Sequence, residues 1–166
     1  ASAITEIDLG MTASISGAFE LNAANVLNFK GSSLEFIGSN FNADISSVTT
    51  LDFGALTTIT GSLSANLSSA TTADFSALTT ITGSLSANLS SATTLDFSVL
   101  TSIGGDFDAN MSAATTISFP ALLTIGGTLS AYLSSATTVD FGALTTIGSG
   151  FSADISSATT ADFSVL

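Results

Sequence analysis

Cysteine, histidine and tryptophan are absent, proline occurs once, and Lys30 is the single basic residue against 13 acidic ones. Without cysteine there is no disulfide framework and no thiolate metal site. Without histidine the commonest general base and the commonest transition-metal ligand are missing. With one cation in the chain nothing can neutralise a row of phosphates, which argues against a nucleic-acid partner. The same shortage disfavours anionic membrane surfaces. Ser and Thr interrupt every apolar run, so no stretch approaches the length of a membrane-spanning helix and no membrane insertion is expected.

The chain starts without Met, at Ala1-Ser2-Ala3. That start suits a mature chain whose signal has been removed, and equally a trimmed or engineered one. A Lys-poor, Ser/Thr-rich, Cys-free composition fits an extracellular or cell-surface protein.

What the sequence does contain is a repeat. Phe53, Phe75, Phe97, Phe119, Phe141 and Phe163 each lie 22 residues apart, and Thr-Thr pairs keep the same step from 49–50 to 159–160. Residues 58–79, TITGSLSANLSSATTADFSALT, recur almost unchanged at 80–101. Such self-similarity is the signature of a solenoid. The earlier chain reads as the same pattern with looser spacing. Leu9 and Phe29 take the Phe position, and KGSSLEF after Phe29 carries a two-residue insertion. The chain is therefore read as one domain over 1–166, with looser coils over 1–48 and regular 22-residue coils over 49–166.

Within a repeat the apolar period is two, not 3.6. Leu63, Ala65 and Leu67 alternate with Ser62, Ser64 and Asn66; Leu95 and Phe97 alternate with Thr94 and Asp96; a third segment carries Leu56 and Ile59. That is the pattern of strands with one buried face, and no segment suits a helix. Turn formers follow the Phe (Gly54, Ser76, Ser98, Pro120, Gly142, Ser164), a second corner falls at Gly61, Gly83, Gly105, Gly127 and Ser149, and Ser68-Ser69 and its copies mark a third. The fold expected is all-β, a parallel β-solenoid of about seven coils with Phe53 to Phe163 in one buried ladder and Leu63, Leu85, Phe107, Leu129 and Phe151 in another.

The stretch LTTITGSLSANLSSATTLDFSVLTSIGG, with Leu78, Ile81, Gly83, Leu85 and Ala87 as its skeleton, resembles the leucine-rich-repeat-like coils of cell-surface proteins, including the receptor L-domain type. The Asn usual just beyond the strand is replaced by Ser68, Ser90, Ser112, Ser134 and Ser156, and no helical stretch fills the convex side. The resemblance implies a secreted, non-catalytic surface or adhesion module.

Equivalent residues of successive coils form columns. One reads Asp8, Asn28, Asp52, Asp74, Asp96, Ser118, Asp140, Asp162. It is either a stripe for Ca²⁺, which favours clustered oxygens, or a solvated face that blocks sideways strand pairing; no calcium-loop motif accompanies it. Beside it run Thr50, Thr72, Thr94, Thr116, Thr138 and Thr160. Outward Thr arrays of this kind resemble the ice-binding surface of antifreeze solenoids, although the flanking charge is unsuited to an ice plane and plain β-propensity also accounts for Thr. A third column, Asn22, Asp44, Asn66, Asn88, Asn110, Tyr132, Asp154, is expected to bond amide to amide along the axis.

No nucleophile–base pair or phosphate loop is present, and Asp106 and Asp108 read as solvated carboxylates, so no catalysis and no cofactor are expected. Terminal repeats of a solenoid normally differ, because a bare end exposes core and strand edges. Here neither end carries a polar capping segment, and DISSATTADFSVL is as apolar as an internal coil. The expectation is head-to-tail self-association into an extracellular filament or surface sheath through Ile4, Ile7, Leu9, Phe163, Val165 and Leu166. An ice-binding protein, a monomeric adhesion module and a fragment whose real caps lie outside this sequence are the alternatives.

Overall fold

A computed structural model describes residues 4–23 and 25–166; residues 1–3, whose composition raised the question of a processed start, lie outside them. The described chain is all strand, turn and bend, with no helix among the described residues and so none that could cross a membrane. It winds as a β-solenoid of seven coils. The first coil holds β1 (Glu6–Asp8), β2 (Ser14–Ile15) and β3 (Phe19–Asn22), and this triplet recurs until β22 (Thr160–Asp162) opens an eighth turn. All ladders are parallel, and every pairing joins residues 22 apart, Glu6 to Asn28 as much as Thr138 to Thr160.

The first face stacks eight strands, β1 to β22, and the second and third faces stack seven each. At about 4.8 Å per coil the seven coils span roughly 34 Å. Strands this short hold because each is one rung of a continuous ladder and its inward residues enter one core. Among the described residues no polar or charged side chain is buried.

Phe53 to Phe163 form the expected ladder, with successive ring centroids 5.1 to 5.9 Å apart and ring planes nearly parallel. Such pairs add about 0.5–1.5 kcal/mol each beyond burial. The second ladder runs Phe19, Phe41, Leu63, Leu85, Phe107, Leu129, Phe151. Its Phe rings meet the first edge-on, as Phe107 does Phe119 at 5.4 Å. Phe163 and Phe151 belong to these ladders but are not buried: Phe163 is partly covered and Phe151 is 49% exposed, because no further coil lies on them.

The looser spacing expected over the first coils is corrected. There is no insertion after Phe29. Phe29 pairs with Leu51, not Phe53, and Gly31 holds the Phe position, its N–H bonded to the Asp52 carbonyl at 2.7 Å. The aromatic ring has moved two residues along the strand and still stacks on Phe53. Gly31 makes room for it, since a Cβ there would sit 2.6 Å from the Phe53 ring.

The first-face ladder is interrupted once, between β13 (Thr94–Asp96) and β16 (Thr116–Ser118). At this step Leu95 and Phe97 are followed by Ile117 and Phe119, with Met111 entering the same layer. Five of the seven steps have Ala or Gly in one of these two inward columns; this one has neither, and the next carries the smaller Val139. Both inward columns carry large side chains on both strands here, and the two backbones do not pair.

Candidate functional site

The corners are built from side chains that reach back to backbone. In six coils the first-face Asp accepts the N–H two residues on: Asp8 from Gly10, Asp52 from Gly54, Asp74 from Ser76, Asp96 from Ser98, Asp140 from Gly142 and Asp162 from Ser164, at 2.7 to 3.1 Å. These are Asx turns, which hold the chain at the corner after the Phe. The exception at coil six is instructive: Pro120 has no N–H to give, and the residue two before it is Ser118, not Asp. The Asp column is thus explained by turn geometry, and no group of three acidic residues among those described is close enough to hold a metal ion.

One member of that column needs correction. Asp8 pairs with Lys30 and Lys30 with Asp52, while Asn28 belongs to the Thr column, between Glu6 and Thr50. The error follows from the supposed insertion. Lys30 bonds Glu6 at 2.9 Å on the open surface, and that hydrogen bond, helped by the carboxylate's charge, raises the lysine pKa above its ordinary value.

Thr50, Thr72, Thr94, Thr116, Thr138 and Thr160 are all exposed on the outer side of the first face. They do not make one array. The gap between β13 and β16 divides them three and three, and the Asp column lies two residues along each strand except at Ser118. Other threonines carry structure instead. Thr57, Thr79, Thr101 and Thr145 each donate the hydroxyl to the carbonyl 22 residues earlier at 2.9 Å, and Thr49, Thr71, Thr137 and Thr159 do likewise at 3.1 to 3.2 Å. Their main-chain amides bond the same carbonyls, so each corner is tied to its predecessor twice.

A further corner column went unnoticed in the sequence because its residue types vary. Asn40, Ser62, Ser84 and Asp106 each accept, through a side-chain oxygen, the N–H of the residue 22 ahead, at 2.7 to 3.0 Å. The neighbouring glycines follow from this: a Cβ on Gly83 would lie 2.8 Å from the Ser62 nitrogen.

The third column was expected to bond amide to amide, and no such bond is found among the described residues; its one coil-to-coil bond there runs from amide to carboxylate, Asn66 Nδ2 donating to Asp44 Oδ1 at 3.1 Å. Asn88, Asn110 and Asp154 instead accept the N–H of Ser90, Ser112 and Ser156 at 3.2 to 3.3 Å. A coil-to-coil amide bond and a turn cap compete for the same oxygen, and the cap is local.

The six residues assigned to self-association lie in the first and last described coils, and five of them are in inward columns. Ile4 is 69% exposed although its counterparts Val26 and Val48 are buried; Leu166 is 54% exposed although Leu144 is buried; Ile7, Leu9 and Phe163 are partly covered. Val165 is different, because its mid-rod counterpart Val99 is itself 38% exposed at a turn. Val165 points outward for a local reason and is not an end-face residue. Phe151 is uncovered in the same way as Leu166, and it was missed because the third face ends on β21 (Phe151–Asp154) while the first runs on to β22; Leu85 and Leu129 in the same column are buried.

No family model, no curated protein and no solved structure matches this chain.

Proposed function

We propose that the chain is a non-catalytic structural protein of the cell exterior that stacks end to end with copies of itself into a filament or surface sheath. The observation that carries this reading is that the inward columns are self-complementary from coil to coil, with Ile4 and Phe151 exposed at the limits of the described coils. Most interior coil contacts reuse one set of columns: Phe on Phe from Phe53 to Phe163, apolar on apolar in the third-face column, and Thr hydroxyls bonded to the carbonyl one coil earlier. The last coil of one copy and the first coil of another offer those same columns, in the same parallel register, with unpaired strand edges on both. A contact of that kind does not close on itself and propagates as a fibre. The extracellular setting is supported by composition alone.

The eight-to-seven strand count refines the junction. An incoming β1 laid on β22 would leave the second and third faces one strand spacing apart. Full contact needs the incoming strand to take the place of β22, whose three residues are all exposed.

Charge placed on an end face tests this. Ile4→Lys and Phe151→Lys should each stop growth while leaving a folded rod, since interior coils support themselves. A mixture of the two retains one good head and one good tail, so it should give dimers and no polymers. If either variant grows as the parent does, the end-face contact is wrong.

A further inference from the structure

Three tripeptides of this chain have the form Asn-x-Ser with a non-proline centre: Asn66-Leu67-Ser68, Asn88-Leu89-Ser90 and Asn110-Met111-Ser112. This is the acceptor pattern for N-linked glycans. All three lie in one column on the outer side of the third face, in adjacent coils. The centre residues are core, with Leu67, Leu89 and Met111 no more than 1% exposed, so alternation turns each Asn outward.

The column needs only an oxygen for its turn cap, as Asp154 demonstrates by capping Ser156. Asn88 and Asn110 cap with Oδ1, and no hydrogen bond of either Nδ2 is found among the described residues. Asn66 differs. Its Nδ2 is committed to Asp44, and its Oδ1 is buried without a partner among the described residues. A sugar on Asn66 would break the bond to Asp44 and crowd a half-buried side chain. Asn88 is the exposed member of the three. It borders a shallow depression of about 300 Å³ together with Ser86, Asp108, Asn110 and Tyr132, where hydroxyl, carboxylate, amide and phenol groups face outward. Adjacent coils are only about 4.8 Å apart, so glycans on neighbouring members of the column would collide.

We propose that Asn88 is the acceptor of an N-linked glycan. The donor is a lipid-pyrophosphate-linked oligosaccharide. Asn88 Nδ2 forms a bond to the anomeric carbon of the sugar, the bond from that carbon to the phosphate oxygen breaks, the lipid pyrophosphate leaves with the electron pair, and one amide proton is released to a base. Nothing is oxidised or reduced. The glycan stands on the side of the rod, away from both end faces. The proposal rests on the extracellular placement in the reading above, and not on assembly.

The test is the full chain secreted from a eukaryotic host that modifies a control Asn-x-Ser protein. Peptides are mapped by mass spectrometry after enzymatic deglycosylation in ¹⁸O water, which marks each occupied Asn as labelled Asp. Label is expected at Asn88 in most molecules, with Asn66 unlabelled. Asn88→Gln should remove it. Ser90→Ala should remove it too, yet keep the turn, because the bond to Asn88 comes from the backbone N–H of residue 90. Secreted, folded protein without label at Asn88 overturns the proposal, as does label chiefly at Asn66. Assembly is measured on unglycosylated bacterial protein, so the failure of one reading leaves the other separately decided.

Discussion

Phe29 stacks on Phe53 with ring centroids 5.1 Å apart, although the ladder pairs Phe29 with Leu51 and gives Gly31 to Phe53. The core needs an aromatic ring at this level, and the chain supplies it from the inward position two residues earlier. The pair predicts a compensation. Gly31→Ala brings a Cβ against the Phe53 ring and should cost about 1–3 kcal/mol by overpacking. Gly31→Phe alone should cost more. Phe29→Leu with Gly31→Phe rebuilds the Leu-x-Phe of Leu51 and Phe53 and should return to within about 1 kcal/mol of the parent. Urea denaturation reads all three; a double variant as poor as Gly31→Phe alone would show that Phe29 is not the substitute ring.

The Asp column makes a second prediction. Asp74→Ala removes the acceptor of the Ser76 N–H and should cost about 0.5–2 kcal/mol, the range of comparable side-chain caps. Asp74→Asn keeps an oxygen there and should cost little. Calorimetric titration with Ca²⁺ should show no micromolar site. A strong calcium site lost in Asp74→Asn would restore the metal reading of this column.

The interrupted ladder predicts a local weakness. Backbone amides of Thr94–Asp96 and Thr116–Ser118 should exchange with solvent faster than those of Thr72–Asp74, which is laddered on both sides. Equal protection along the first face would contradict the interruption at this step. Ile117→Ala, by relieving it, should slow exchange at Thr94–Asp96.

Ice activity is expected to be small. The Thr column is cut into two groups of three and bordered by carboxylates. Thermal hysteresis comparable to a dedicated antifreeze protein, lost on Thr94→Tyr, would reverse that ranking.

Much of this fold was legible in the residues. Period-two alternation named the strands, and the exact recurrence of Phe53 to Phe163 gave the coil length, because stacked coils force each column to keep one kind of side chain. Phe29 was misread because aromatic identity was allowed to outrank spacing; Leu9, Gly31 and Phe53 lie 22 apart without adjustment. The Asp-to-turn bonds were hidden because an outward carboxylate looks the same whether it is solvated or caps a turn, and only Pro120 beside Ser118 hinted at the difference. The break at Leu95 and Ile117 depends on summed volumes across two coils, and the end-face role of Phe151 depends on what covers it. Neither is a property of one repeat.

The central claim is end-to-end growth, and sedimentation velocity over a concentration series tests it most directly, with negative-stain images of the same samples. The net charge of −12 opposes association of like rods, so added salt should favour growth by screening. The account predicts species that lengthen with concentration and salt into rods many times the roughly 34 Å of one copy. It also predicts faster growth when residues 159–166 are deleted, because all three faces then end on the seventh coil. A chain that sediments as a monomer at every concentration and salt level over days, with or without that deletion, would contradict it.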